Sequence, residues 1–90
     1  FSCSKLFLGV PGIDKEFGLS STNVMEAQLN RKMIAASQKT IVLADSSKFG
    51  KRGFGRICGL EDVEQVITDA GISEHTVEML KGMGIEVTIV

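Results

Sequence analysis

Residues 39–55, with the sequence KTIVLADSSKFGKRGFG, decide the fold that we expect for this chain. The stretch opens with the apolar run 40–44, TIVLA, which is too short for a helix and rich in β-branched residues. This pattern is typical of a strand that is buried on both faces of a parallel sheet. The strand would leave its sheet at four polar residues, Asp45, Ser46, Ser47 and Lys48. Because ligands of open α/β sheets bind at the carboxyl ends of the strands, these side chains are candidates for holding a small polar ligand.

The same residues also allow a plainer interpretation. Asp and Ser side chains bond to the nearby backbone, so such clusters often form ordinary turns. The residues that follow, 50–55, contain three glycines, a lysine and an arginine. Glycines permit close approach to a ligand, and basic groups favour an anionic one, but a glycine-rich loop is also simply mobile. Spacing alone leaves both a turn and a ligand site open.

Composition excludes several classes of protein. Ninety residues make one domain or part of one, and 43% hydrophobic and 23% charged residues are ordinary for a globular chain. A net charge of −1 argues against a nucleic-acid-binding surface on this segment. No apolar run approaches the ~20 residues that span a bilayer, so we expect no membrane contact and a cytoplasmic location. The chain begins at Phe1 without an initiator Met, which suggests a piece of a longer protein.

The soft metal ligands are few. Cys3 and Cys58 form no CxxC pair, and His75 is a single histidine. We therefore expect no metal site, no cofactor and two reduced thiols. His75 has no carboxylate or nucleophile at a useful spacing, which favours a surface helix residue.

The segment before the central stretch predicts a strand and a helix. Residues 5–10 form a second apolar run, read as a buried strand, and a Pro-Gly turn then leads to Asp14. Asp14 is either a turn residue or a ligand contact. Residues 18–23 are predicted as a polar linker. A helix should run from about Asn23 to about Ser37, with Asn23 as its N-cap and Glu26 in capping-box position.

The segment after it predicts alternating short elements. Residues 56–59 are a possible strand, 60–64 a short connector or one helical turn, 65–68 a buried strand, and 85–90 a final strand. Ser73 should cap a helix, while Asp69 fits plain turn chemistry. This order indicates an α/β domain with a mostly parallel sheet flanked by helices, which is Rossmann-like. Neither a GxGxxG nor a phosphate-loop fingerprint occurs.

Several motifs in one register carry a family resemblance. They are FLGVPGID (7–14), GLS (18–20), LADSSKFG (43–50) and VITDAG (66–71). Together they resemble the C-terminal effector domain of DeoR-type bacterial transcriptional regulators. The resemblance covers essentially all ninety residues.

The resemblance implies both a fold and a function. Regulators of this type carry an N-terminal helix-turn-helix that binds operator DNA. Their C-terminal domain is similar to the ribose-5-phosphate isomerase (NagB-like) fold and senses a phosphorylated sugar or related metabolite. The chain, residues 1–90, would be the C-terminal portion of that domain. The DNA-binding module, the first strands and a phosphate loop would lie upstream.

The resemblance also implies a set of ligand-binding residues. Lys48 matches the lysine that holds the ligand phosphate in the related isomerases, and Asp45 matches the acid that opens that segment. Asp14 matches the second acid of their Gly-Ala-Asp-x-x-Asp turn. A lysine ammonium pairs with phosphate as a point charge, and carboxylates accept from sugar hydroxyls. The expected ligand-binding set is Lys48, Asp45, Asp14, Ser46, Ser47 and Asn23.

Three departures from the isomerase pattern argue against catalysis. Pro11 stands where the first acid of the turn is usual, which removes one acceptor for a sugar hydroxyl. Thr22 takes the place of the catalytic lysine, and Arg31 that of the catalytic glutamate. An arginine cannot act as a base, so we expect no catalytic residue here while phosphate binding survives.

The leading hypothesis is therefore a ligand-sensing domain of a regulator, usually a repressor, that controls its own DNA-binding module. Such proteins are expected to form homo-oligomers, because DNA readers commonly match their symmetry to a palindromic site. Two alternatives remain open on sequence. One is an isomerase-like enzyme, and the other is an oligomerisation domain whose ligand site has decayed.

Overall fold

Two sheets share one apolar core in the computed structural model, which describes residues 3–90. The strands found there are β1 (Cys3–Gly9), β2 (Gly12–Asp14), β3 (Gly18–Ser21), β4 (Ser37–Leu43), β5 (Gly55–Cys58), β6 (Gln65–Thr68) and β7 (Glu86–Ile89). The helices are α1 (Val24–Ala35) and α2 (Glu74–Gly82), with 3₁₀ turns at Ser46–Lys48 and Leu60–Asp62.

The apolar run 40–44 lies in the middle of a parallel sheet, as predicted. The sheet has the order β1-β4-β6-β7, and every neighbouring pair is parallel. Val42 of β4 lies opposite Leu8 on one side and Val66 on the other, and it is fully buried. The predicted α/β fold with a mostly parallel sheet is therefore confirmed, and the strands expected at 5–10, 65–68 and 85–90 are its other members.

One face of this sheet is covered and the other is open. Successive strands are added in one direction, and right-handed crossovers then place every connection on the same face. Leu8, Val42 and Val66 point to the covered face and are buried. Phe7 and Leu43 alternate with them and remain 56% and 41% exposed. The open face is thus apolar where β1 and β4 meet.

The second sheet is antiparallel, and the sequence did not predict it. Its order is β2-β3-β5, and β3 occupies residues that were expected to be a polar linker. That expectation was wrong because the serines of β3 have specific partners. Ser20 Oγ accepts from the Gly53 N–H at 2.7 Å, and Ser21 Oγ donates to the Glu26 carboxylate at 3.1 Å. The possible strand at 56–59 exists as β5, but in this sheet.

Both helices begin at the N-cap residues that the sequence predicted. Asn23 Oδ1 accepts from the backbone N–H groups of Met25 at 2.8 Å and Glu26 at 3.2 Å. The reciprocal half of the capping box differs, since the Asn23 N–H donates to Ser21 Oγ instead. Ser73 caps α2 through the Thr76 N–H at 3.1 Å. The inward positions of α1 are small or polar, namely Ala27 and Asn30.

Gly18 allows β3 to pack closely against the end of β5. Gly18 has a φ of +81°, and a Cβ there would overlap the Cys58 carbonyl and lie 2.8 Å from the Gly59 Cα. Gly84 has a φ of +82° but open space around it. Gly82 also has open space, and its φ is not positive.

These three positions separate backbone strain from steric overlap. We expect Gly18→Ala to lower the free energy of unfolding by about 3 kcal/mol, because left-handed strain and overpacking add. Gly84→Ala should lower it by about 1 kcal/mol from strain alone. Gly82→Ala should be neutral or slightly stabilising. Urea denaturation of the three variants measures this order, and equal losses at Gly18 and Gly84 would contradict the close approach.

Candidate functional site

Polar side chains follow three neighbouring parallel strands. Residues 10–14 come after β1, residues 45–48 after β4, and residues 69–73 after β6. The carboxyl ends of parallel strands meet at the same edge of a sheet, where ligands of α/β proteins bind. We call this edge the carboxyl edge and residues 45–48 the DSSK turn.

The DSSK turn is organised by its first residue. The Asp45 carboxylate accepts from the Ser47 N–H at 2.9 Å and also from the Ser47 hydroxyl. These bonds, the hydroxyl bond first, hold the pKa of Asp45 below its ordinary value. The Lys48 Nζ lies 3.8 Å from Asp45 Oδ2, and its side chain is 36% exposed. An ion pair this long and exposed contributes little to the stability of the fold. The Lys48 ammonium therefore remains able to bind a ligand.

Asp69 joins the DSSK turn to the loop after β6. Its carboxylate accepts from the Ser46 N–H at 2.6 Å, from the Ser46 hydroxyl at 3.0 Å and from the Gly71 N–H at 3.0 Å. The Ser46 backbone bond is the main reason that the pKa of Asp69 lies below its ordinary value. The sequence suggested plain turn chemistry for Asp69, and the bridge to another loop was missed. The sequence feature that could have indicated this bridge is the position of Asp69 directly after a strand, which Asp45 shares.

Asp14 is held in its own turn. Its Oδ2 accepts from the backbone N–H groups of Phe17 at 2.8 Å and Glu16 at 3.0 Å. Arg52 Nη2 lies 3.0 Å from the same oxygen, and the guanidinium sits 5.8 Å from the Phe17 ring centre. The bond from the Phe17 N–H is the largest cause that lowers the pKa of Asp14. The sequence left open whether Asp14 is a turn residue or a ligand contact. The structure shows that its carboxylate holds a turn and also pairs with Arg52, a partner that the sequence did not predict.

The structure brings five of the six predicted residues to one edge. The DSSK turn continues into Phe49, which forms a bridge with Ile13, and the Gly50 N–H donates to the Ile13 carbonyl at 2.7 Å. Asp14 therefore sits beside the turn. Asn23 is placed differently, since its side chain caps α1 and its carbonyl lies next to Gly55.

A cavity of about 260 Å³ opens beside the carboxyl edge. Its floor is apolar, formed by Ile13, Phe49 and Met79, and its rim is polar, formed by Asp14, Lys15 and His75. An apolar cleft with a few polar groups is the common form of a small-molecule site. Of the predicted set only Asp14 lies on its wall. His75 is an exposed residue of α2, as predicted.

Metal and thiol chemistry find no support in residues 3–90. Over that range no three His, Cys, Asp or Glu side chains are grouped closely enough to hold a metal ion. Burial raises the pKa of the Cys58 thiol to about 11, so it is protonated at neutral pH. Neither described helix is long and apolar enough to span a membrane.

The acids of the carboxyl edge predict a dependence of stability on pH. Asp14, Asp45 and Asp69 all have a pKa below the ordinary 3.8, so the folded state holds their protons less tightly than the unfolded state. Their contribution is fully present above pH 3.8 and is lost as the pH falls through the folded values. The melting temperature should therefore drop on acidification below that point. Asp69→Asn should show a shallower drop than the parent in a pH series of melting curves, and a parallel curve would contradict this assignment.

Comparison with known proteins identifies the family of this chain. Residues 1–70 match the family model of the DeoR C-terminal sensor domain. The chain is 40% identical over 90 residues to the uncharacterized HTH-type regulator YulB of Bacillus subtilis, covering 100% of this chain and 35% of that protein. It is 41% identical over 85 residues to a putative aga operon transcriptional repressor of Escherichia coli O157:H7, covering 94% and 32%.

A third relative is the glycerol-3-phosphate regulon repressor of Haemophilus influenzae, 35% identical over 74 residues, which cover 82% of this chain and 29% of that protein. The chain spans about a third of the length of these curated relatives. All three carry names of transcriptional regulators or repressors, and none of the three is named as an isomerase. The chain belongs to the DeoR family of transcriptional regulators and matches the C-terminal sensor domain of that family.

Proposed function

We propose that this segment binds the phosphate of a phosphorylated sugar or related metabolite through Lys48. The observation that carries the proposal is the position of Lys48 on the carboxyl edge, half-exposed and only loosely paired with Asp45. An ammonium in that setting can exchange a weak partner for a dianionic phosphate, which attracts it more strongly.

The hydrogen bonds of the neighbouring acids support a ligand that is recognised first through its anion. Asp14, Asp45 and Asp69 each accept two or more bonds from their own surroundings. These bonds engage Oδ2 of Asp14, Oδ1 of Asp45 and both oxygens of Asp69, and through them the carboxylates shape the turns. The hydroxyls of Ser46 and Ser47 are likewise bonded to Asp69 and Asp45. We assign the direct contact to Lys48 and a supporting role to the other residues of the edge.

The names of two relatives support an effector derived from carbohydrate metabolism. One is named for the aga operon and one for the glycerol-3-phosphate regulon. We propose that the whole protein is a cytoplasmic homo-oligomer that binds operator DNA through a helix-turn-helix outside this segment. The net charge of −1 agrees with a DNA contact elsewhere.

The role of Lys48 is tested with the whole regulator in a thermal-shift titration. A panel of sugar phosphates is compared with the free sugars, since a ligand at a hundred times its Kd raises stability by roughly 2.7 kcal/mol. Lys48→Ala should weaken binding about tenfold or more, because a hydrogen bond to a charged group contributes about 1.5–3 kcal/mol. Its melting temperature without ligand should barely change.

Lys32→Ala is the matched control, since Lys32 is an exposed lysine of α1. It should leave binding unchanged. A parent that responds to no phosphorylated compound, or a Lys48→Ala protein with an unaltered response, would overturn the proposal. The first result would favour an oligomerisation domain with a decayed ligand site, whereas the second would assign the phosphate contact to residues other than Lys48.

We further propose that residues 1–90 are the later part of a larger sensor domain. Parallel sheets are normally covered on both faces, whereas here Phe7 and Leu43 leave an apolar area on the open face. In the described structure β1 pairs only with β4, so its other edge is also available for a further strand. The part of each relative that lies outside the matched region is long enough to cover the open face and to add a strand beside β1.

This arrangement predicts a difference between a short and a long protein. Phe7→Ser should lower the melting temperature of the whole regulator by several degrees, because a buried phenylalanine contributes about 2–3 kcal/mol. The same change in the 90-residue chain should have little effect. Glu86→Ser, at the polar end of the same row of the open face, should be mild in both. Equal effects of Phe7→Ser in the two proteins would contradict a cover over this face.

A further inference from the structure

We infer that Asp69 is a positioning residue for the ligand lysine, and that Ser46 serves this bridge rather than the ligand. The inference rests on the proposed function, since it assigns the group that holds Lys48 in place. Asp69 itself does not contact the ligand in this assignment.

The first argument is the backbone of the DSSK turn, where the N–H groups of Ser46, Ser47 and Lys48 are engaged. Asp69 accepts from the Ser46 N–H at 2.6 Å, and Asp45 accepts from the Ser47 N–H at 2.9 Å. The Lys48 N–H donates to the Asp45 carbonyl at 3.1 Å. A phosphate therefore finds no free N–H at residues 46–48, and the Lys48 ammonium is the cationic donor that this turn offers. Its position depends on how the turn is anchored.

The second argument is that Asp69 supplies the anchor from another strand. The Ser46–Asp69 bonds join residues 23 apart in sequence, so they fix the turn to the end of β6 rather than to itself. The bonds of Asp45 are local and set only the shape of the turn. With Asp69 neutralised or shortened, the turn would keep its shape and its link to Ile13 but lose its anchor at the end of β6.

The third argument is the space around the bridge. A Cβ placed on Gly71 would overlap the Ser46 hydroxyl and lie 2.9 Å from Asp69 Oδ2. The loop after β6 thus approaches the DSSK turn as closely as a glycine allows, and its own N–H adds a bond to the same carboxylate. Three donors converge on one side chain, which is more than a simple turn requires.

The chemistry of the bridge identifies the informative substitution. Asp69 Oδ1 takes the Ser46 N–H, whereas Oδ2 takes both the Ser46 hydroxyl and the Gly71 N–H. An asparagine has one oxygen, so its amide group would meet the Gly71 N–H with donor against donor. Asp69→Asn therefore disturbs the bridge while nearly keeping the side-chain volume.

The test is a double-mutant cycle in the whole regulator, with inorganic phosphate as the probe at constant ionic strength. Wild type, Lys48→Ala, Asp69→Asn and the double variant are titrated, and Kd is taken from the dependence of melting temperature on phosphate. We expect Lys48→Ala to raise Kd at least tenfold and Asp69→Asn to raise it about fivefold. The double variant should bind no more weakly than Lys48→Ala, because Asp69 acts only through Lys48.

Two controls separate positioning from general destabilisation. Glu64→Ala removes a carboxylate bond to the Thr40 N–H, 2.6 Å long, from a residue that comes directly before β6 and lies outside the carboxyl edge. It should leave Kd unchanged. Ser46→Ala removes the hydroxyl bond but keeps the backbone bond, and it should raise Kd about twofold. This milder variant also provides the answer if Asp69→Asn does not fold.

The outcomes distinguish this inference from the proposed function. If Lys48→Ala changes Kd while Asp69→Asn and Ser46→Ala do not, the positioning role is wrong and the phosphate site stands. If the Asp69→Asn effect persists at full size without Lys48, Asp69 acts by another route and the inference also fails. If Lys48→Ala has no effect on Kd, the proposed function fails first and the inference with it.

Discussion

The buried central strand β4 is the constraint on which the rest of the structure depends. It pairs with β1 on one side and β6 on the other, and its middle residues Thr40, Ile41 and Val42 are buried. A strand in this position must be apolar on both faces and must have parallel neighbours. Three loops then emerge at the same edge, and the polar residues that interrupt each apolar run are brought together by the sheet itself.

Acidic residues at the ends of these strands have a structural explanation that is compatible with ligand binding nearby. Each carboxylate accepts at least one backbone N–H of a turn. These bonds, preceded at Asp45 by the bond from the Ser47 hydroxyl, hold the pKa of each acid below its ordinary value. The two lysines and the histidine around the edge, Lys15, Lys48 and His75, bring positive or ionisable groups to the solvent side. The edge therefore combines acids that hold the backbone with bases that can meet an anion.

The sequence predicted those parts of the fold that local pattern encodes. The apolar run 40–44 and the caps at Asn23 and Ser73 are visible in short windows, because burial and capping leave periodic or positional signals. Strand β3 was missed since its serines look like linker residues, and only the distant Gly53 N–H and the Glu26 carboxylate show why they are buried.

The candidate site likewise has parts that the sequence predicted and parts that it did not. The residues of the DSSK turn were chosen correctly as neighbours because they are consecutive, and the resemblance supplied the ligand role of Lys48, which remains a prediction. The ion pair of Asp14 with Arg52 and the bridge of Asp69 to Ser46 were not foreseen. Both join residues far apart in sequence, and no spacing rule relates such residues before the sheet is assembled.

The order of the parallel sheet also bears on how the site comes into being. In the described structure each strand pairs with the strand that follows it in this sheet, from β1 to β7, so the sheet can grow in the direction of synthesis. During synthesis the DSSK turn leaves the ribosome before Asp69, which lies 23 residues after Ser46. The entropy of closing that loop is recovered when β6 docks on β4. Lys48 is thus present early in the nascent chain, but the bonds that fix the turn around it form only when β6 has joined the sheet.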